Sequence, residues 1–179
     1  MLKELLEKRR AFRALDPVEI TAEDLENLAG AASLAPSCFN NQPWRYVFVT
    51  DKHVLEALHD TLAEGNYWAR RASLIIAVST SKELDCVIKD RTYAAFDTGM
   101  ATFSLIMAAT EMGLVAHPIA GFSPSKVARA LGIEPRPDFM ALLIVGRHSS
   151  DDSLLKEHHR AEEKHRPPRK KVNEFVRFI

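Results

Sequence analysis

The sequence predicts an α+β protein built in layers, and three stretches carry that prediction. Arg45–Thr50 is rich in aromatic and β-branched residues, as strands are, and a helical pattern near Lys52–Leu62 follows it. Ser73–Ser79 is a continuous apolar run, the pattern of a central strand covered on both faces. Thr92–Met112 is rich in Ala, Met and Leu on nearly every side, which marks a buried helix.

The remaining elements follow in order. Leu2, Leu5 and Leu6 form an apolar stripe followed by Arg9, Arg10 and Arg13, so a short helix with a basic end is expected up to the break at Asp16-Pro17. Thr21 reads as an N-cap with Asp24 three residues on, and Leu25, Leu28, Ala29, Ala32 and Ala35 form the expected buried face of a second helix. That helix runs into Pro36. Gly65-Asn66-Tyr67-Trp68 reads as a loop carrying two aromatics. Leu114-Val115-Ala116 is a strand leading into Pro118-Ile119-Ala120-Gly121, and Ser123-Pro124 opens a helix through about Leu131. Phe139–Val145 is the last core strand.

At 179 residues the chain suits one domain, 1–179, in which the charged stretch from 150 onward is an extension with little core of its own. Val172, Phe175, Val176 and Phe178 close that extension and need an apolar surface to dock on. The Thr92–Met112 helix is about long enough to span a bilayer, yet Asp97, Glu111, four threonines and a serine place it in protein instead of membrane. A chain of this size has difficulty surrounding such a helix, so a homodimer is expected, with Gly99 and Ala101 allowing close approach.

Lys+Arg and Asp+Glu are both 24, so no long-range field favours nucleic acid or an anionic membrane, and a small molecule is the expected partner. Cys38 and Cys86 are too far apart for a metal knuckle and too few for a disulfide scaffold, which fits a reduced, cytoplasmic setting. The charged residues among Met1–Glu7 fit neither a signal nor a transit peptide.

The stretch Ala35-Pro36-Ser37-Cys38-Phe39-Asn40-Asn41-Gln42-Pro43-Trp44 is the densest in chemistry. Two prolines bracket a loop of uncharged donors and acceptors suited to the imide and carbonyl edge of a heterocycle. As a connector it would need only solubility. Its wording, Ala-Pro-Ser-x-x-Asn-x-Gln-Pro-Trp, resembles the signature of the nitroreductase family of flavin enzymes. Arg9-Arg10-Ala11-Phe12-Arg13, Pro118–Phe122 and Lys164-His165-Arg166 resemble further family motifs in the family's order. The likeness runs from about Leu5 to Val176.

The resemblance implies a three-layer α-β-α fold with a central mixed sheet, a buried central helix and an extended tail wrapping the partner subunit. It also implies FMN as cofactor, NADH or NADPH as co-substrate, and an electron-poor acceptor such as a nitroaromatic or quinone. By the same likeness, Arg9 with Lys164 and Arg166 holds the phosphate, which suits a chain of seven glycines without a G-x-G-x-x-G cradle, and Arg10 is counted among the cofactor-binding residues. Arg13 is implied to approach the pyrimidine edge of the flavin. Pro36, Ser37, Cys38 and Asn40, with Gln42 close by, are implied to wrap the cofactor from the opposite subunit. In Pro118-Ile119-Ala120-Gly121, the N–H groups of Ala120 and Gly121 are implied to face the reactive ring nitrogen. No side chain is assigned as catalytic, because the flavin is the reactive group. The family commonly has Ser where this chain has Ala11 and Cys38.

Other clusters carry less. His158, His159 and His165 lack ligand spacing, so no metal is expected, and nothing resembles G-x-S-x-G. Trp68 and Phe122 read as core or pocket wall. Two alternatives stay open: a flavin-binding protein without nicotinamide turnover, and a family relative that fragments flavin or dehalogenates aromatics.

Overall fold

The computed structural model describes residues 2–179, and Met1, at the head of the charged N-terminal stretch, lies outside them. The chain runs through α1 (Leu2–Lys8), β1 (Leu15–Asp16), α2 (Ala22–Ser33), β2 (Arg45–Val49), α3 (Lys52–His59) and β3 (Leu74–Thr80). A small hairpin follows, β4 (Val87–Ile88) and β5 (Arg91–Thr92), then α4 (Ala94–Glu111), β6 (Leu114–Ile119), α5 (Pro124–Leu131), β7 (Asp138–His148) and α6 (Glu157–Lys164).

β7 is the spine of the main sheet. β3 lies along one side of it, with β2 outside β3, and β6 lies along the other side. β1 pairs with its last two residues. Every pairing is antiparallel, which corrects the expected mixed sheet. The connections show how: β2 reaches β3 through α3 and the Glu64–Arg71 turns, and β6 reaches β7 through α5 and residues 132–137, so in each case the chain re-enters the sheet from the end at which it left.

All seven residues of β3 are buried, as a strand covered on both faces requires. Ile75, Ala77, Leu142 and Ile144 pack with Leu55 and Leu58 of α3 and Val127 of α5. Their neighbours Leu74, Ile76, Leu143 and Val145 pack on the opposite face, with Leu28 and Ala32 of α2 and Ala101, Leu105 and Ala109 of α4. The period-2 alternation of strand side chains thus builds the three-layer α-β-α sandwich.

The Thr21 capping box is formed in both directions. Of the face expected on α2, Leu28, Ala32 and Ala35 are buried but Ala29 is exposed. One residue past Leu28, Ala29 is turned about 100° away from the contact with α4. α4 buries Asp97, Thr98, Ala101 and Leu105, yet Phe96 (65% exposed), Gly99 and Phe103 form an outward stripe at helical spacing. Gly99 therefore lies on the open face, whereas Ala101 packs into the core and takes no part in it. Residues Glu64–Arg71, expected as a loop, form 3-10 turns that bury Trp68. The terminal Val172, Phe175 and Phe178 are exposed. No helix of the described residues is long and apolar enough to cross a membrane.

α1 stops at Lys8 and does not continue to Arg13 as expected. The backbone beyond it is claimed by other partners: His117 Nδ1 donates to the Phe12 carbonyl, Ser149 N to the Ala14 carbonyl, and β1 begins at Leu15. Bonding to a carbonyl makes Nδ1 the protonated ring nitrogen. Burial, against Trp68 at a ring separation of 4.6 Å, pushes the His117 pKa down to about 4, with Arg13 and Arg9 adding to the effect. Because the folded imidazole binds its proton more weakly than the unfolded one, the unfolded state gains as pH falls below about 6.5, and the loss levels off near 4. Unfolding free energies measured in urea between pH 7 and 4 should therefore fall by about 3 kcal/mol more in the native protein than in a His117→Gln variant. Parallel curves for the two would contradict this assignment.

Candidate functional site

The basic segments at the two ends of the chain meet. Arg9, Arg10, Ala11 and Arg13 line a cleft of about 210 Å³ together with Glu162, Arg166, Pro167 and Arg169. Two of the arginines act as reciprocal clamps. Arg10 Nη2 donates to the carbonyls of Glu162 and Glu163, at 3.0 and 3.2 Å, at the C-terminus of α6. Arg166 Nη2 donates to the carbonyls of Glu7 and Arg9, both at 2.6 Å, at the C-terminus of α1. Each guanidinium thus satisfies carbonyls that a helix end leaves unpaired, where its charge also complements the helix dipole. Arg13 is bonded through Nη1 to Glu162 Oε2, and its backbone N donates to Glu163 Oε1 at 2.7 Å.

Arg9 differs from the others. Its guanidinium is half-buried, and it has no carboxylate or carbonyl partner among the described residues. Burial pushes its pKa down, and the charges of Arg166, Arg169 and Arg10 push the same way. Five guanidinium groups share one cleft with a single carboxylate lining it, that of Glu162, which is already paired to Arg13. Such a cleft attracts an anion, and an arginine fork matches phosphate oxygens. Lys164, the last residue of α6, does not line the cleft.

The loop between Pro36 and Pro43 lies elsewhere on the chain's surface, and none of its residues lines the arginine cleft. It is held in a tight conformation in which three non-glycine residues, Phe39, Asn40 and Gln42, take left-handed backbone angles of φ 49°, 59° and 51°. Gln42 N donates to Ser37 Oγ at 3.0 Å. Cys38 N donates to Asp97 Oδ2 of α4 at 2.6 Å, and Asn41 Nδ2 to Asp85 Oδ1 at 3.2 Å. The Asp97 carboxyl is held above the ordinary carboxylate range, first by burial and then by the Asp85 carboxylate beside it, with the Cys38 N–H opposing. Asp85 Oδ2 is buried and has no hydrogen-bond partner among the described residues.

Cys38 and Cys86 are joined by a disulfide, which corrects the expectation of two unpaired cysteines. Their separation of 48 residues in sequence conceals that the Asp85-Cys86 turn sits against the Pro36 loop.

The turn at Ala120-Gly121 is tied to the segment before Tyr67. Gly121 O accepts from Ala63 N and from Asn66 Nδ2, both at 2.8 Å. A Cβ on Gly121 would stand 2.7 Å from Asn66 Nδ2 and 3.3 Å from Ala63 Cβ, so glycine is required here by crowding. The bonds of this turn run through the carbonyls of Ala120 and Gly121, and Pro118 and Ala120 are exposed while Ile119 is buried. Asn66 escaped the sequence reading, where it stood only as a loop residue. Its side-chain role depends on the 3-10 turn that brings it over Gly121.

A second cavity, of about 290 Å³, adjoins the cleft through their shared Arg13. Tyr67, Trp68 and Leu155 contribute to its lining.

A model of the nitroreductase family matches residues 6–85 and 64–147 of the chain. MhqN of Bacillus subtilis (strain 168), whose name places it with the NAD(P)H nitroreductases, is 26% identical over 97% of this chain and 96% of its own length. A crystal structure of a nitroreductase family protein from Streptococcus pneumoniae TIGR4 superposes with a TM-score of 0.80 at 23% identity, covering 100% of both chains. A crystal structure of an oxidoreductase containing FMN is 30% identical with a TM-score of 0.78, covering 89% of this chain and 82% of that one. With the motifs in family order and the family model spanning both the Arg9 segment and the Ala120-Gly121 turn, the chain belongs to the nitroreductase family.

Proposed function

We propose that this protein is an FMN-dependent oxidoreductase that takes a hydride from NADH or NADPH and delivers it to an electron-poor small molecule such as a nitroaromatic or quinone. The observation that carries the reading is the half-buried Arg9, set among four further guanidinium groups with no counter-charge of its own. A dianionic phosphate is the group whose charge and oxygen geometry this cleft matches. Family membership and the FMN-containing relative support the same cofactor. Residues 1–179 then act as one FMN-binding unit with 150–179 as its extension, in the cytoplasm, where the Cys38–Cys86 bond would be of the reversible kind.

Bound FMN would supply the two-electron chemistry, and the chain's residues would hold and tune it. Arg9 would bind the phosphate directly, with Arg10, Arg166 and Lys164 completing the positive surroundings. Arg13, whose Nη1 is bonded to Glu162, has further N–H donors for the pyrimidine edge, where a fixed cation favours negative charge. The N–H groups of Ala120 and Gly121 would face the ring, since the carbonyls of that turn are already bonded. Pro36, Ser37, Cys38, Asn40 and Gln42 do not line the arginine cleft of their own chain, so a second copy would supply them. The exposed Phe96, Gly99 and Phe103 stripe and the apolar tail end give that homodimer its surfaces.

Arg9 and Arg166 should separate under mutation. Arg9→Ala should weaken FMN binding by about 1.5–3 kcal/mol, as for a charge-assisted contact, without moving the melting temperature of the apoprotein. Arg166→Ala should weaken binding and also lower that melting temperature, because it uncaps α1. Fluorescence titration with FMN and thermal unfolding without it measure the two effects, and an Arg9→Ala chain with full FMN affinity would remove the basis of the cofactor reading.

Shared sites predict complementation. A chain carrying Arg9→Ala and Arg166→Ala, mixed with one altered at Ser37 and Asn40, should regain NAD(P)H-dependent reduction of a nitroaromatic at about one site per heterodimer. Absence of activity in verified heterodimers would refute the shared site, and so would a monomer binding FMN stoichiometrically in sedimentation.

A further inference from the structure

The Cys38–Cys86 bond joins the loop with the most constrained backbone in the protein to a segment 48 residues away. Three non-glycine residues within four positions hold left-handed angles, and Phe39 does so while 84% exposed, with no packing to fix it. Besides the Thr80 hydroxyl bonded to the Pro43 carbonyl and Arg45 Nη1 bonded to the Gln42 carbonyl, the loop is anchored to the rest of the chain by this disulfide and two buried carboxyl groups. Asp97 takes the Cys38 N–H, and Asp85 takes both the Asn41 side chain and the Cys86 N–H. Once the sulfurs part, the loop depends on acceptors that are themselves at odds electrostatically.

We propose that Cys38 and Cys86 form a reversible redox clasp on the 36–43 loop: the disulfide holds the loop in its cofactor-binding conformation, and reduction releases it. This rests on the FMN reading for its functional consequence, though not for the clasp itself. Both cysteines are half-exposed, so a small reductant or oxidant can reach them. Their Cα atoms are 6.3 Å apart, within the range that a disulfide spans.

The chemistry balances with thiol reagents alone. In closing the clasp, the two thiols lose two electrons and two protons to a small-molecule disulfide, which becomes two thiols as the S–S bond forms. In opening it, a thiolate of a dithiol attacks one sulfur and the other leaves as thiolate and takes a proton. The reagent's second thiol then resolves the mixed disulfide, leaving a cyclic disulfide of the reagent and two protein thiols.

Three measurements on the full-length protein test this. Thiol titration under denaturing conditions should find none in protein treated with oxidised glutathione and two after dithiothreitol. Hydrogen exchange without FMN should be at least tenfold faster at residues 37–42 in the reduced form, and a Cys38→Ser/Cys86→Ser chain should match the reduced form with or without dithiothreitol. Unchanged exchange on reduction overturns the clasp. So does stoichiometric zinc held by the reduced protein with the loop still protected, since the two sulfurs and Asp85 would then be metal ligands. FMN titration should finally show affinity about tenfold weaker in the reduced form, and equal affinities overturn the link to the cofactor. If neither form binds FMN while loop exchange still responds to reduction, the cofactor reading fails and the clasp stands.

Discussion

Burial of β3 on both faces is the constraint on which the rest of the structure depends. A strand whose seven residues are all inaccessible needs a helical layer on each side and a bonded strand on each edge. β2 and β7 meet the second need, and the pairs α3–α5 and α2–α4 meet the first. β7 inherits the same requirement along its middle, where Leu142, Leu143, Ile144 and Val145 are also inaccessible. Little freedom remains for the strands and helices, and the candidate site is accordingly built from the connections between them.

Those connections are rigid for reasons other than regular secondary structure. Residues 9–14 are pinned by His117, Ser149 and the Arg166 clamp. Gly121 is pinned by Asn66 and Ala63, and the 36–43 loop by two carboxyl groups and a disulfide. In each case a polar group from a distant part of the chain replaces the hydrogen bonds that a helix or sheet would have supplied. The arrangement leaves Arg9 as a half-buried cation of the cleft to whose guanidinium no described residue supplies an acceptor.

What was legible in the sequence and what was not divides along the same line. The apolar run of β3, the Thr21 capping box and the Ser123-Pro124 helix start are local patterns, and each appears in the structure where the sequence placed it. Arg9, Arg10, Arg13 and Arg166 were legible as a group, because clustered cations and the family motifs point the same way, whereas Arg169 sits in a cationic run that reads as a solvated face. Their division of labour was not, since Arg166 acts on carbonyls about 160 residues earlier and no spacing announces that. The early end of α1 escaped for the same reason: Phe12 and Ala14 find distant partners that a local pattern does not contain. Cys38 and Cys86 looked unpaired because their proximity is produced by the Asp85 turn meeting the Pro36 loop. The outward stripe on α4 was hidden by an apolar composition that makes inner and outer faces read alike.

The reciprocal clamps have a consequence for biosynthesis. Arg10 reaches the carbonyls of Glu162 and Glu163, and Arg166 reaches those of Glu7 and Arg9, so each wall of the arginine cleft is held in place by the opposite end of the polypeptide. A nascent chain emerging from the ribosome can pair β2 with β3 and pack α2 on α4 while residues 157–166 are still in the exit tunnel. It cannot assemble the cleft. Acquisition of an anionic ligand there therefore waits until Arg166 has left the tunnel, and until then the sheet folds beside a pocket with only one wall.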